Sequence, residues 1–386
     1  MLGFHFQSTV PNWLQSMQRL PAGSWVKAID GVQLLAEAKT VNPGIKTVLR
    51  HWYDQGQIFG GSYEQLKQRA RQFFSTFVDD TFRYYASSID AIEEWNEYLG
   101  NGQSAQERQQ RIEWVRAVND VWRYEYRTQA DYAHIRLVSA NTAIGNDIPV
   151  EIAKIVQEFN GYLSYHAYTA VRDGQIVPDE WRNFSGRWTV MDSVYRAQRI
   201  EVDWLFTEMG AVLQYENGHL GPQDGWKHTR VYDGNISNYI AMMATWLDKT
   251  YAWNELNQNR AQGGTFFTTG GGQEWRLFEI QQPHLNQIAS FMNGYAQPVV
   301  PAGEPRQQYK REYWVVPATL PENRRLQLYA QACGLNLTVG PSYDDGGVGA
   351  LGDKTAVLWD IPTNEWANYI DWFNQNYPGT KVEFRS

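Results

Sequence analysis

The sequence predicts a (β/α)8 TIM barrel followed by a small α+β domain of ferredoxin-like βαββαβ order. Three observations lead there. Eight short apolar runs alternate with eight amphipathic stretches, a Pro-containing break follows them, and the rhythm of elements changes beyond it. A barrel takes about 250 residues, so a chain of 386 holds one and leaves roughly a hundred more.

The first strand is predicted at Gly3 to Gln7, with a short helix near Trp13 to Leu20. The second strand spans Trp25 to Ile29 and leads into helical Val32 to Ala38. The third, Lys46 to Trp52, precedes a long amphipathic helix from Tyr63 to Phe77. Strand four, Ala91 to Trp95, is followed by a helix over Gln106 to Tyr126. Strand five is His134 to Ala140, with a helix from Val150 to Phe159. Tyr162 to Tyr168 reads as strand six, and after a long loop a helix covers Thr189 to Gln198. Strand seven, Val202 to Thr207, is followed by a loop rich in Gly, Pro and Asp and a helix from Ile236 to Asn257. Strand eight, Thr265 to Thr269, is closed by a helix from Trp275 to Met292.

Residues 1–295 therefore form the barrel, 296–311 (beginning Ala-Gln-Pro-Val-Val-Pro) a linker, and 312–386 the small domain. In that domain strands are expected at Tyr313 to Val316, Leu337 to Gly340, Thr355 to Ile361 and Lys381 to Phe384. Helices are expected at Glu322 to Ala332 and Asn364 to Asn376. The domain carries no catalytic constellation and is read as an accessory or interaction module.

Net charge is −8 with both signs mixed along the chain, which excludes a basic nucleic-acid groove. No apolar run is long enough for a membrane span. The strand-like Leu2 to Phe6 follows Met1 directly, so no signal peptide is expected, and a cytoplasmic chain or one with a trimmed leader fits equally. The single cysteine, Cys333, allows no intrachain disulfide, and no zinc-ligand spacing occurs. Aromatic residues make up 15% of the chain, with 17 Trp and 23 Tyr. Most belong in cores, but sugar faces stack on Trp and Tyr, so an aromatic-lined cleft is compatible with a saccharide binder.

Catalytic side chains of a barrel lie at the C-terminal ends of its strands. The strand map then gives Arg50, His51 and Trp52 after strand three, and Trp95-Asn96-Glu97-Tyr98 after strand four. His166 and Tyr168 end strand six, Thr207-Glu208-Met209-Gly210 ends strand seven, and Gly270-Gly271-Gly272 follows strand eight. Glu97 and Glu208 thus point into one mouth from opposite sides. Glycosidic hydrolysis needs such a pair: one acid protonates the leaving oxygen, and a second carboxylate stabilises or attacks the oxocarbenium-like centre.

Asn96-Glu97 and Thr207-Glu208-Met209-Gly210 resemble the signatures of clan A glycoside hydrolases, which are retaining enzymes on a (β/α)8 barrel. The resemblance covers residues 2–295. It implies Glu97 as acid/base, Asn96 on the sugar 2-hydroxyl and Glu208 as nucleophile. His166 and Tyr168 resemble the His-x-Tyr of the cellulase-like branch, where the Tyr bonds the nucleophile, and His51 resembles a substrate-contacting His. The chain departs from the pattern in two places. Strand two offers Lys27 and Asp30 where an Arg is usual, while Arg50 lies on strand three. A glycine turn replaces a sugar-stacking Trp after strand eight, the nearest indole being Trp275.

The implied mechanism needs no metal and no organic cofactor, and its partner is a carbohydrate substrate. Glu97 is expected to have a raised pKa, from the Glu208 charge and burial beside Trp95. Glu93 and Glu94 are competing acids, of which at most one faces the interior, and Glu201 and Asp203 read as structural. Alternation lets only one of Arg50 and His51 face the centre, and His51 is preferred. Of Trp52, Trp95, Trp181, Trp188, Trp226 and Trp275, two or three are expected to line sugar subsites. The alternative reading is a catalytically silent carbohydrate-binding barrel. A third places the function in the C-terminal domain.

Overall fold

The computed structural model describes residues 1–53, 59–172, 175–216, 219–227, 231–273, 275–295, 311–334, 338–341, 343, 354–377 and 380–386. All but the last residue of the expected linker at 296–311 lies outside the described residues. By contact the chain divides into two compact units, Met1–Gly225 with Arg260–Asn293, and Trp226–Asn259 with Gly294–Ser386. No described helix is long and apolar enough to cross a membrane.

The first unit contains a closed barrel. Its eight parallel strands are Leu2–Phe6, Trp25–Ile29, Lys46–Arg50, Ala91–Glu93, Arg136–Thr142, Tyr162–Tyr165, Asp203–Glu216 and Ala261–Thr269. Each pairs in parallel with the next, and the eighth pairs back onto the first, with Leu2 opposite Gly264 and Phe4 opposite Phe266. Gly3 permits the approach of strands one and two, since a Cβ there would sit 1.9 Å from the Trp25 carbonyl oxygen. Around the barrel lie helices Trp13–Arg19, Val32–Val41, Tyr63–Ser75, Ala105–Val121, Val150–Phe159 and Arg187–Ala197. Two of them open with capping boxes, Ser62 with Gln65 and Ser104 with Glu107, which satisfy N–H groups the first turn leaves free.

Side chains of alternate residues fill the barrel in layers. Trp25, Val48, Ala91, Val138, Tyr162 and Leu205 form an apolar plug. Two residues further along their strands stand Lys27, Arg50 and Glu93, so the layer above the plug is charged. At the N-terminal end of the strands, Arg136 bonds Asp203 at 2.8 Å and Arg260 pairs with Glu201, which makes both acids structural, as expected.

Several elements differ from the sequence expectation. Strand six does not stop at Tyr168 but continues as Ala167–Arg172, alongside a strand seven that runs to Glu216. Return strands Gln175–Ile176 and His219–Asp224 pair antiparallel with these extensions. Polar residues such as Gln214, Glu216 and His219 made the region read as loop. The last helix of the first unit begins at His284, not Trp275, because Pro283 disfavours helical backbone in the residue before it. A short helix, Asp80–Tyr85, was not anticipated; the Asp79 side chain caps it by accepting from Phe82 N at 2.8 Å.

The second unit contains helix Ile236–Leu256 and a four-stranded sheet of Thr338–Gly340, Arg311–Val315, Lys354–Trp359 and Lys381–Arg385, in that spatial order. Every pairing is parallel. This corrects the ferredoxin-like expectation, which requires antiparallel neighbours. Strand direction depends on what joins the strands, which the pattern of apolar runs does not reveal. Both faces of the sheet are covered. Tyr313, Val315, Ala356 and Leu358 pack with Phe373 on one side, while Trp314, Val316, Val357 and Trp359 pack with Leu328 and Ala332 on the other.

Candidate active site

Glu208 stands in strand seven at a register shift. Phe206 lies opposite Gly264 and Met209 opposite Phe266, so strand seven carries one extra residue there. Such a bulge re-aims side chains. Thr207 bonds Asn141 Oδ1 at 3.3 Å inside the barrel, and its neighbour Glu208 also points into the charged layer.

Both Glu208 oxygens are engaged, by different groups. Oε1 accepts from Lys27 Nζ and Arg50 Nη1, each at 3.3 Å, with His5 Nδ1 at 3.9 Å. Oε2 accepts from the Tyr168 hydroxyl at 3.2 Å and lies 3.6 Å from His166 Nδ1. Burial alone would raise the Glu208 pKa, but His166, Lys27 and Arg50 outweigh it and hold this carboxyl well below the usual range. Burial, aided by Lys27 and Arg50, keeps His5 neutral. His166 is raised: burial opposes its charge, yet Glu208 and Glu97 prevail.

A depressed carboxyl pKa links stability to pH with a definite sign. The unfolded glutamate takes up a proton at higher pH than the folded one, so the fold gains stability above the ordinary value and loses it as pH falls through the folded pKa. Below about pH 4.3 the melting temperature of Glu208→Gln should therefore fall less steeply than that of the wild type. Equal slopes would show that Glu208 is not held as an anion.

Glu97 lies beyond strand four in a left-handed conformation, φ 50°, with 39% of its side chain exposed. Its Oε1 is 2.7 Å from His166 Nδ1. One imidazole nitrogen thus touches Glu97 and lies 3.6 Å from Glu208, which caps the separation of those two carboxylate oxygens at the sum of the distances, about 6.3 Å. Trp95 does not bury Glu97. It turns into the core and stacks on Trp114 at 3.6 Å, because the turn sends neighbouring side chains to different sides.

The two competing acids divide as strand alternation requires. Glu93 faces inward and binds Lys27 Nζ at 2.8 Å and Arg50 Nε at 3.8 Å. Glu94 faces outward, where burial pushes its carboxyl up to about 7 against the pull of hydrogen bonds from Tyr98, Ala140 and Trp114. Arg50, rather than His51, points to the centre, since alternation puts it on the side of Val48, opposite Glu93, where it reaches Glu208. His51 instead pairs with Asp30 at 2.5 Å, and Asp30 also accepts from Trp52 N at 3.1 Å.

Asn96 is half-buried. Trp52 is 63% exposed, whereas Trp95, Trp188 and Trp226 are fully buried in cores and offer no surface to a sugar. Trp275 is half-buried, edge-on to Phe267 at 4.9 Å, in a cluster with Tyr168, Val212 and Phe278.

The structure thus brings together Glu97, Glu208, Arg50, His166 and Tyr168, and adds His5, Lys27 and Glu93. These three left a trace in the sequence. Each is a polar residue inside or closing a short apolar strand, at a position that faces the barrel interior. Glu93, His166 and Glu208 bring ligand atoms within 4.8 Å of one another. However, Lys27 bonds both carboxylates, so an ammonium already supplies the positive charge a divalent ion would bring.

A parallel barrel with two glutamates facing each other across its mouth is the class that fold and site define. Solved structures similar to the chain include a glucosidase from Croceicoccus marinus (TM-score 0.44, 11% identity, covering 76% of this chain and 67% of that one). Another is a family 39 glycoside hydrolase from Bacteroides cellulosilyticus WH2 (TM-score 0.42, 12% identity, 75% and 64% covered). A GH18 chitinase from Cycas revoluta is similar too (TM-score 0.42, 13% identity, 75% and 99% covered). No family model and no curated protein matches the sequence.

Proposed function

We propose that this chain is a retaining glycoside hydrolase acting on β-glycosidic bonds of an oligo- or polysaccharide, with Glu97 as acid/base and Glu208 as nucleophile. The observation that carries this is the single nitrogen of His166 between the two carboxylates. The limit it sets of about 6.3 Å on the facing oxygens brings the two carboxylates close enough for the roughly 5–5.5 Å of retaining pairs. The environments of the two also differ as their roles require. Glu208 is buried among cations and stays ionised for attack, while Glu97 is half open to the mouth, where a leaving group departs. Asn96 Oδ1 is buried without a partner among the described residues, which leaves an acceptor for a sugar hydroxyl.

In this mechanism Glu97 protonates the leaving oxygen while Glu208 attacks the anomeric carbon. Glu97 then takes a proton from the water that cleaves the glycosyl ester, as microscopic reversibility demands. The test is proton NMR of the first sugar released from an aryl β-glycoside in a panel of sugars. The β anomer should appear first and only later equilibrate. Release of the α anomer first would exclude double displacement, and glycan binding without turnover would favour a silent binding barrel.

A further inference from the structure

The sharp turn that carries Glu97 is held from behind by groups that never reach the mouth. Strand five carries one extra residue after Ser139: Ser139 pairs with Leu163 and Thr142 with Tyr165. The displaced Ala140 is left-handed, φ 63°, a conformation that residues with a Cβ rarely adopt. Its freed N–H does not go unsatisfied, for it donates to Glu94 Oε1 at 2.9 Å. The same oxygen accepts the Tyr98 hydroxyl at 2.5 Å, and Oε2 accepts the Trp114 indole at 2.9 Å. Asn141, next in the bulge, donates to the Trp95 carbonyl at 3.0 Å and accepts from Thr207, the neighbour of Glu208, at 3.3 Å. Glu97 therefore sits in a loop of four residues, Trp95 to Tyr98, pinned at both ends to one buried carboxylate and one strand bulge.

We propose that Glu94 is a positioning residue: together with the Ala140–Asn141 bulge it holds the Trp95–Tyr98 turn so that Glu97 meets His166 and faces Glu208. Glu94 is fully buried and touches neither Glu97 nor the cleft, so it acts only through the turn. Two accepting oxygens are required because the Ala140 and Trp114 N–H groups can only donate, one to each oxygen, and an amide in place of the carboxyl sets an N–H against one of them. The inference rests on Glu97 being the general acid.

The experiment compares wild type, Glu94→Gln and the milder Tyr98→Phe, which removes one hydroxyl and keeps the ring, on two aryl glycosides of each sugar in the panel. A phenyl leaving group needs protonation, and a 2,4-dinitrophenyl group leaves without it. A displaced Glu97 costs about a hundredfold in kcat on the phenyl substrate in Glu94→Gln, less in Tyr98→Phe, with dinitrophenyl turnover nearly intact. Loss of fold or of active fraction would lower both substrates alike.

In parallel, the imidazole 15N signal of His166, assigned by its loss in His166→Gln, should shift in Glu94→Gln in the same direction as in Glu97→Gln. A leaving-group-dependent loss with that shift supports the proposal. Equal losses, or none, with the His166 signal unmoved would overturn it. If the wild type turns over no glycoside, the catalytic reading fails by itself and the His166 signal alone decides whether Glu94 places Glu97.

Discussion

Glu208→Ala should lose hydrolysis of an activated aryl β-glycoside by on the order of 10⁵-fold while remaining folded. The loss is large because nothing else in the charged layer can attack: Glu93 lies beneath, fully buried and bound to Lys27. Folding survives because the groups that held Glu208 keep other partners. Lys27 stays on Glu93 at 2.8 Å, and Arg50 lies 3.8 Å from the same carboxylate. The space vacated by the carboxylate admits a small anion, so azide should restore turnover of a dinitrophenyl substrate and yield an α-glycosyl azide. Steady-state kinetics and identification of that product make the check. Undiminished hydrolysis in Glu208→Ala would remove Glu208 from the mechanism.

Lys27→Met should be the most destabilising change in the site, by about 3–5 kcal/mol. Lys27 and Glu93 are both fully buried, and the ammonium also touches Glu208. Removing it leaves two carboxylates in a region of low polarity with Arg50 as their shared fixed cation. A buried ion pair gains little over a well-packed apolar pair, but half of one is costly. The double variant Lys27→Met/Glu93→Gln restores the charge balance and should recover most of the lost melting temperature, as calorimetry would show. Additive losses in the double variant would mean that the two residues are not a pair.

Much of the barrel was legible because short parallel strands buried on both faces are short apolar runs, and Trp25–Ile29 is one such run. The ends of strands four, six and seven, where Glu97, His166, Tyr168 and Glu208 lie, followed from the same map. What did not follow depends on register. The extra residues in strands five and seven turn Ala140 and Glu208 away from where strict alternation sends them, and no Gly stands within either shift to announce the bulge. The preference for His51 over Arg50 at the centre fails because a choice between neighbours needs the register of the adjacent strand. Lys27 and Glu93 looked like departures from a pattern, though a Lys inside Trp25–Ile29 and a Glu closing Ala91–Glu93 could have been paired with each other. In the second unit, the order of elements was readable but strand direction was not.

The lopsided grip on Glu208 has a bearing on the second half of the reaction. Lys27 and Arg50 attach to Oε1, so in the proposed mechanism attack would proceed through Oε2, the oxygen beside His166. Once a glycosyl ester forms on Oε2, both cations remain in place beside a carbonyl that has lost its charge. They await the anion and make this glutamate a weak base and a ready nucleofuge. The ester is then expected to be short-lived, its breakdown keeping pace with its formation. Capturing it for mass spectrometry would require an electron-withdrawing 2-fluoro substituent on the sugar, which slows departure more than these charges hasten it.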